Sequence, residues 1–194
     1  PNTLWSLYAD VPAMVQGALA GNFLNFFIPP TSPGGLITGV EYDATLDAFF
    51  YIDIVTDDIY AVDRLGNLLP GYPVPQTSLD TGAGLFGNGL DVIEGKLDVL
   101  VGEISAGQVT QSEITDIFGT SLGVNTPLTA IPDDFINDLV RSRLDPNGVV
   151  YVVGNATSAI YAVEPANLTL ATPWASAEPE VGTIPAGSDA TLDL

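Results

Sequence analysis

Three carboxylates close together in the chain, Asp53, Asp57 and Asp58, have the type and spacing to do chemistry. They flank a polar turn around Val55-Thr56-Asp57, and an oxygen-rich turn suits calcium, which takes about 6–8 oxygen ligands. A second group, Asp133, Asp134 and Asp138, lies near another turn. Neither follows the EF-hand loop or the glycine-rich nonapeptide repeat. The alternative for both is a solvated acidic hairpin end, because charge runs usually face water. Asp53, Asp57 and Asp58 are the candidate metal ligands; the expectation is that the chain has no cofactor, with calcium on these three residues as the alternative.

Other chemistries are narrowed by what the chain lacks. It contains no His and no Cys, which removes Ser-His-Asp and Cys-His catalysis and the commonest zinc, copper and haem ligand sets. No P-loop or Rossmann glycine pattern occurs. Carboxylate pairs of the glycosidase kind remain, drawn from Asp53, Asp57 and Asp58 or from Asp43 and Asp47. With 24 acidic residues some must lie close by chance, so no residue is assigned a catalytic role and the chain is expected not to be an enzyme. Trp5, Tyr8, Tyr72 and Trp174 are the aromatics available for a sugar platform, whereas Tyr51, Tyr60, Tyr151 and Tyr161 belong to the core by pattern. Asn155-Ala156-Thr157 and Asn167-Leu168-Thr169 match the glycosylation sequon, making Asn155 and Asn167 candidate acceptors.

Charge sets the partners. Four Lys and Arg stand against the acidic residues, for a net charge of -20. Phosphate neutralisation needs clustered cations, so nucleic acid is not expected, nor is binding to anionic membranes. At 46% hydrophobic residues the chain is also a poor fit to intrinsic disorder. No uninterrupted apolar run of about 18 residues appears, and the most apolar stretch, Val11 to Ile28, is broken by Pro12, Gln16, Gly17, Gly21, Asn22 and Asn25. Membrane insertion is not expected. A chain that begins at Pro1 is expected to be a processed or excised piece of a longer polypeptide.

The elements that must position these residues are mostly strands. Phe49 to Asp53 and Asp58 to Asp63 read as two strands joined by the polar turn, with a second turn at Arg64-Leu65-Gly66-Asn67. The same grammar returns after the Asp145-Pro146-Asn147-Gly148 turn, in Val149 to Val153 and Ala159 to Glu164. The string Ile-Tyr-Ala-Val-acid recurs about 100 residues apart, roughly two lengths of a propeller blade. A weaker copy lies between, from Gly89-Leu90-Asp91-Val92 through Leu97 to Glu103 and Glu113 to Phe118, making three repeats. In Asp58 to Asp63 both faces carry apolar residues, Ile59 and Ala61 on one and Tyr60 and Val62 on the other, as expected for sheets covered on both sides. Helix signals are confined to Pro132 to Leu139 and Val11 to Ala20.

The string from Gly39-Val40-Glu41-Tyr42-Asp43 through Phe50-Tyr51-Ile52-Asp53 to Asp58-Ile59-Tyr60-Ala61-Val62-Asp63-Arg64-Leu65-Gly66-Asn67 resembles a blade of the NHL or YVTN-type β-propellers. The resemblance spans residues 36 to 172 and implies an all-β fold of four-stranded, propeller-like repeats, about three blades, incomplete or completed by neighbours. Residues from Pro173-Trp174-Ala175-Ser176 to the stretch Gly182 to Leu194 resemble the opening of an immunoglobulin-like bacterial surface domain. The expected organisation is an N-terminal irregular or strand segment over 1–35, the repeats over 36–172, and a linker and strand over 173–194 leading to a following domain or a partner. An extracellular or cell-surface location follows from the resemblance and the acidity. The expected function is a non-catalytic structural or interaction module, working in adhesion or assembly and self-associating by β-strand addition. Asp189, Ala190, Thr191, Leu192, Asp193 and Leu194 are the candidate donor strand. Expected partners are a second copy or the remainder of a longer chain, and glycans. The alternative is a carbohydrate-active, or carbohydrate- or calcium-binding, propeller using its acidic loops.

Overall fold

The computed structural model describes residues 3–8, 13–76, 85–103, 108–129, 131, 136–141, 149–154, 157–163 and 170–176. Among them the chain is all-β and forms four antiparallel sheets, each a meander in which sequential strands are neighbours. The first sheet has three strands, β1 (Thr3–Tyr8), β2 (Ala13–Ala18) and β3 (Phe23–Phe27). The second contains β4 (Ile37–Asp43), β5 (Ala48–Asp53), β6 (Asp58–Val62) and the short β7 (Val74–Pro75). The third is β8 (Leu85–Ile93), β9 (Lys96–Glu103), β10 (Gln108–Asp116) and β11 (Ser121–Pro127). The fourth is β12 (Ile136–Arg141), β13 (Val150–Gly154), β14 (Ala159–Val163) and β15 (Leu170–Ser176). The three repeats legible in the sequence coincide with the three four-stranded sheets.

The sheets stack face to face, and the period-2 alternation of each strand feeds the layers on either side. β5 illustrates this: all six of its residues are buried. Phe50 and Ile52 join Ile59 and Ala61 from β6 in packing against Leu90, Val92, Leu97 and Val99 of the third sheet. Phe49 and Tyr51, with Tyr60 and Val62, pack against Met14 and Phe27 of the first sheet. A third layer joins Leu100 and Val109 to Leu139, Val150, Val152 and Tyr161 of the fourth sheet. Tyr51, Tyr60 and Tyr161 are thus core residues, as their pattern implies, and Tyr151 is half-buried. The rings of Tyr51 and Tyr60 stack 5.3 Å apart, and the Tyr51 hydroxyl donates to the Pro30 carbonyl at 2.7 Å. Burial, with the Tyr60 and Asp53 charges behind it, pushes the Tyr51 hydroxyl far above its ordinary value.

The leading strands of the four-stranded sheets meet: β8 touches both β4 and β12, and β12 touches β4. Backbone runs against backbone where Gly39 faces Gly89, since a Cβ on residue 39 would lie 2.7 Å from the Leu90 nitrogen and 2.8 Å from the Gly89 Cα. β8 is pegged to β12 by Asn88 Nδ2 donating to the Ile136 carbonyl and by the Arg141 backbone N–H donating to Asp91 Oδ2 at 2.8 Å.

Two helix expectations are corrected. Within Val11 to Ala20, residues 13–18 form the central strand of the first sheet, paired on both sides by β1 and β3; ladder bonds on two edges outweigh a weak local helix preference. Within Pro132 to Leu139, residues from Ile136 onward are strand β12. The helix-like spacing of buried Ile136 and Leu139 arises from a bulge between Ile136 and Asp138, where one extra residue shifts the face alternation.

Candidate functional site

The acidic residues are first of all turn-formers. Asp53 ends β5 with its carboxylate wholly buried. It accepts the Ser32 N–H (2.8 Å), the Ser32 hydroxyl (2.6 Å), the Leu36 N–H (3.2 Å) and the Val55 N–H (3.1 Å). Burial alone would raise its pKa, but these four donors hold it below the ordinary carboxylate value. Asp43 accepts from Thr45 and Leu46 N–H, Asp63 from Leu65 and Asn67 N–H, and Asp116 from Phe118 and Thr120 N–H. Each strand-ending Asp therefore caps the backbone of the turn that follows, the Asx arrangement that short polar side chains favour.

Asp57 closes the 53–57 turn in the left-handed region at φ 59°, and Asp58 starts β6 directly opposite Asp53. Among the described residues no group of three or more His, Cys, Asp or Glu is placed to hold a metal ion. The other carboxylate pair is also engaged, Asp43 in its turn and Asp47 with Tyr42 and Arg64. Asp138 sits in β12, where burial pushes its carboxyl up to about 6. Asp133, Asp134, the sequon residues Asn155 and Asn167, and the proposed donor strand Asp189 to Leu194 lie outside the described residues.

The second acid-bearing site is internal. The Arg141 guanidinium enters from β12 and pairs with Asp98 of β9, at 2.6 Å from one terminal nitrogen and 2.8 Å from Nε. Asp98 has no exposed surface. Burial raises its pKa and the Arg141 charge works against that rise. This pair ties the third sheet to the fourth.

A concave site opens between the first and second sheets. The cleft, about 410 Å³, is lined by Thr3, Leu4 and Trp5 of β1, by Val40, Glu41 and Tyr42 of β4, and by Phe49 and Arg64. Trp5 meets Phe49 edge-to-face at 4.9 Å, and Tyr42 lies 5.1 Å from Phe49. The Arg64 guanidinium lies over the Tyr42 ring at 5.1 Å, donates to the Tyr42 hydroxyl and pairs with Asp47, while that hydroxyl donates to Asp47. The hydrogen bond from Tyr42 and the Arg64 contact lower the Asp47 pKa, and the hydrogen bonds to Tyr42 and Asp47 raise that of Arg64.

The four aromatics considered for a sugar platform are not gathered. Trp5 packs on one face of the second sheet and Tyr72 on the other, its hydroxyl donating to the Ile117 carbonyl at 2.7 Å. The side chains of Tyr8 and Trp174 lie outside the described residues. The sequence reading missed Glu41, Tyr42 and Arg64 as a group. The signal was there: in a meander the turns after the first and third strands emerge on one side, which brings residues 42–47 and 64 together.

Fold and site define, among the described residues, an all-β chain of antiparallel meanders of three or four strands. No protein-family model matches it, and no curated protein does. It is similar to a solved structure of a protein of unknown function from Bacteroides caccae, with a TM-score of 0.57 and 15% identity, covering 91% of this chain and 59% of that one. The likeness is one of fold, and this chain spans 59% of that protein's length.

Proposed function

We propose that this chain is a non-catalytic interaction module of propeller-like sheets, exported to the cell surface or the extracellular space, that associates through the outer face of its first sheet with a second copy. The observation that carries the reading is that outer face. Leu4 is 61% exposed, Phe23 64% and Phe26 55%, and the two phenylalanine rings lie 6.2 Å apart. Every other sheet-to-sheet layer is closed by the same kinds of residue, so this face has the chemistry of an interior layer without a facing sheet. At the far end of the stack Val140 and Val153 of the fourth sheet are also exposed.

The meander order and the meeting of β4, β8 and β12 support the propeller-like reading, because the first strands of blades converge on an axis. The capping roles of Asp43, Asp53, Asp63 and Asp116 support a non-catalytic reading, since their oxygens are committed to backbone donors.

Light scattering on the purified chain tests the proposal. Concentration-dependent oligomers that Phe23→Ser and Phe26→Ser disperse are the expected result. A folded monomer at all concentrations overturns it.

A further inference from the structure

Among the described residues the second, third and fourth sheets have four strands each, and the first has three. The difference shows at the leading strands. β4 and β12 both lie against β8. Toward the first sheet, β4 instead faces the cleft it shares with β1.

Val40 records the missing cover. It stands in β4 where Leu90 stands in β8, each directly after one glycine of the Gly39–Gly89 contact. Leu90 is wholly buried against the second sheet, while Val40 stays half-buried against the first. The Tyr42 ring is already covered by Phe49 and Arg64, so the gap in this wall lies at Val40.

Three consecutive residues of β1, Thr3, Leu4 and Trp5, line the same cleft. Successive side chains of a strand point to opposite faces, so a cleft that touches all three lies at the strand's edge. Among the described residues that edge is unpaired, because β1 is bonded to β2 alone. An edge strand leaves every second N–H and C=O without a ladder partner. Here those groups border a space between two sheets.

An occupant that suits this space is extended, with an apolar side for Val40 and Trp5 and a polar side for solvent. The segment Asp189 to Leu194, outside the described residues, has that alternation in its sequence. Ala190, Leu192 and Leu194 fall on one side, and Asp189, Thr191 and Asp193 on the other. Leu4 decides which copy supplies it. Leu4 lines the cleft and also belongs to the exposed outer face of the first sheet, so the two surfaces are continuous. A copy seated on that face borders the cleft as well.

We propose that β1 accepts a fourth strand for the first sheet, residues Asp189 to Leu194 of a second copy, hydrogen-bonded along its free edge in the cleft beside β4. This rests on the association reading above and names the segment that enters.

The chain has no Cys, so each single substitution introduces one thiol. The whole chain carrying Leu4→Cys is mixed with chains carrying Asp189→Cys, Ala190→Cys, Thr191→Cys, Leu192→Cys, Asp193→Cys or Leu194→Cys, one at a time. After oxidation, disulfides between copies are identified by mass spectrometry, and oligomers are measured by light scattering. Leu4 points away from the face that carries Trp5, so its partners are the polar set. The expected result is cross-linking at one or more of positions 189, 191 and 193, at roughly fivefold or more the yield at 190, 192 and 194, since side chains alternate along a strand. Oligomers without these cross-links, or with equal yields at all six positions, overturn the strand and leave face-to-face association standing. A monomer free of cross-links overturns both.

Discussion

The Asp53 carboxylate fills the space that a side chain on Gly35 would need. A Cβ at residue 35 would lie 2.9 Å from Asp53 Cγ and 2.8 Å from Thr31 Cβ. The 31–36 loop wraps the carboxylate closely enough to donate three hydrogen bonds from two residues, Ser32 and Leu36. Only glycine permits that approach. Gly35→Ala is therefore expected to destabilise the chain by roughly 1–3 kcal/mol, the usual cost of overpacking, read as a lower urea midpoint with an unchanged slope.

Removing the charge at Asp53 tests the same contact from the other side. Its folded pKa lies below the unfolded value, so the stabilisation is fully present above the unfolded value, about 3.9, and is lost as pH falls through the folded one. Asp53→Asn should cost roughly 1–3 kcal/mol at pH 7. It should also flatten the acid limb of the stability–pH curve, as measured by urea unfolding between neutral and acidic pH.

Asp138 has the opposite sign. Its folded pKa is raised to about 6 by burial, reinforced by the nearby Asp91 charge. The folded chain then holds a proton that the unfolded chain has lost, so this residue's contribution to stability grows as pH falls through about 6 and levels off below the unfolded value. Asp138→Asn is expected to raise the urea midpoint at pH 7 and to remove part of the gain the parent shows between pH 7 and 5.

The Arg141–Asp98 pair should behave as a buried ion pair does when one partner is deleted. Arg141→Met leaves the Asp98 carboxylate without its cation in a site with no exposed surface, and a loss of about 3–5 kcal/mol is expected. Adding Asp98→Leu to Arg141→Met should recover much of it. A double-mutant cycle by thermal or urea unfolding separates this recovery from simple additivity.

The β8–β9 turn offers a gain. Glu94 sits at φ 48° and Gly95 at φ 74°, the pair of left-handed residues that a tight hairpin turn requires. Asparagine tolerates that region better than glutamate. Glu94→Asn should stabilise by up to about 1 kcal/mol, seen as a melting temperature higher by several degrees.

The strands of the repeats were readable because two independent signals agree there. In Phe49 to Asp53, Asp58 to Val62, Val150 to Val153 and Ala159 to Val163, β-branched and aromatic residues end in turn-forming ones, and the apolar content of both faces told of cover on both sides. The first sheet was not readable: glycines and polar breaks in Val11 to Ile28 obscure its alternation, and only pairing with β1 and β3 makes residues 13–18 a strand. β12 misled because Pro132-Asp133-Asp134 reads as the acidic start of a helix, whereas pairing with β13 makes residues 136–141 a strand. The acidic turn between Asp53 and Asp58 was located correctly, but whether its oxygens face a cation or the chain's own N–H groups depends on loops distant in sequence, such as Ser32 reaching Asp53. The cleft was hidden for the same reason, since Trp5, Glu41 and Arg64 meet only through sheet packing.

The double-sided burial of β5 has a consequence for how the chain finds its alignment. A strand with one wet face is kept in step by water, because sliding by one residue would turn its apolar side outward. β5 has no wet face, and a one-residue slide would merely exchange one greasy layer for another. What such a slide cannot accommodate is Asp53, whose four donors exist at a single position. The carboxylate serves as the notch on a ruler that is otherwise unmarked, and the chain's acidity doubles as its system of alignment.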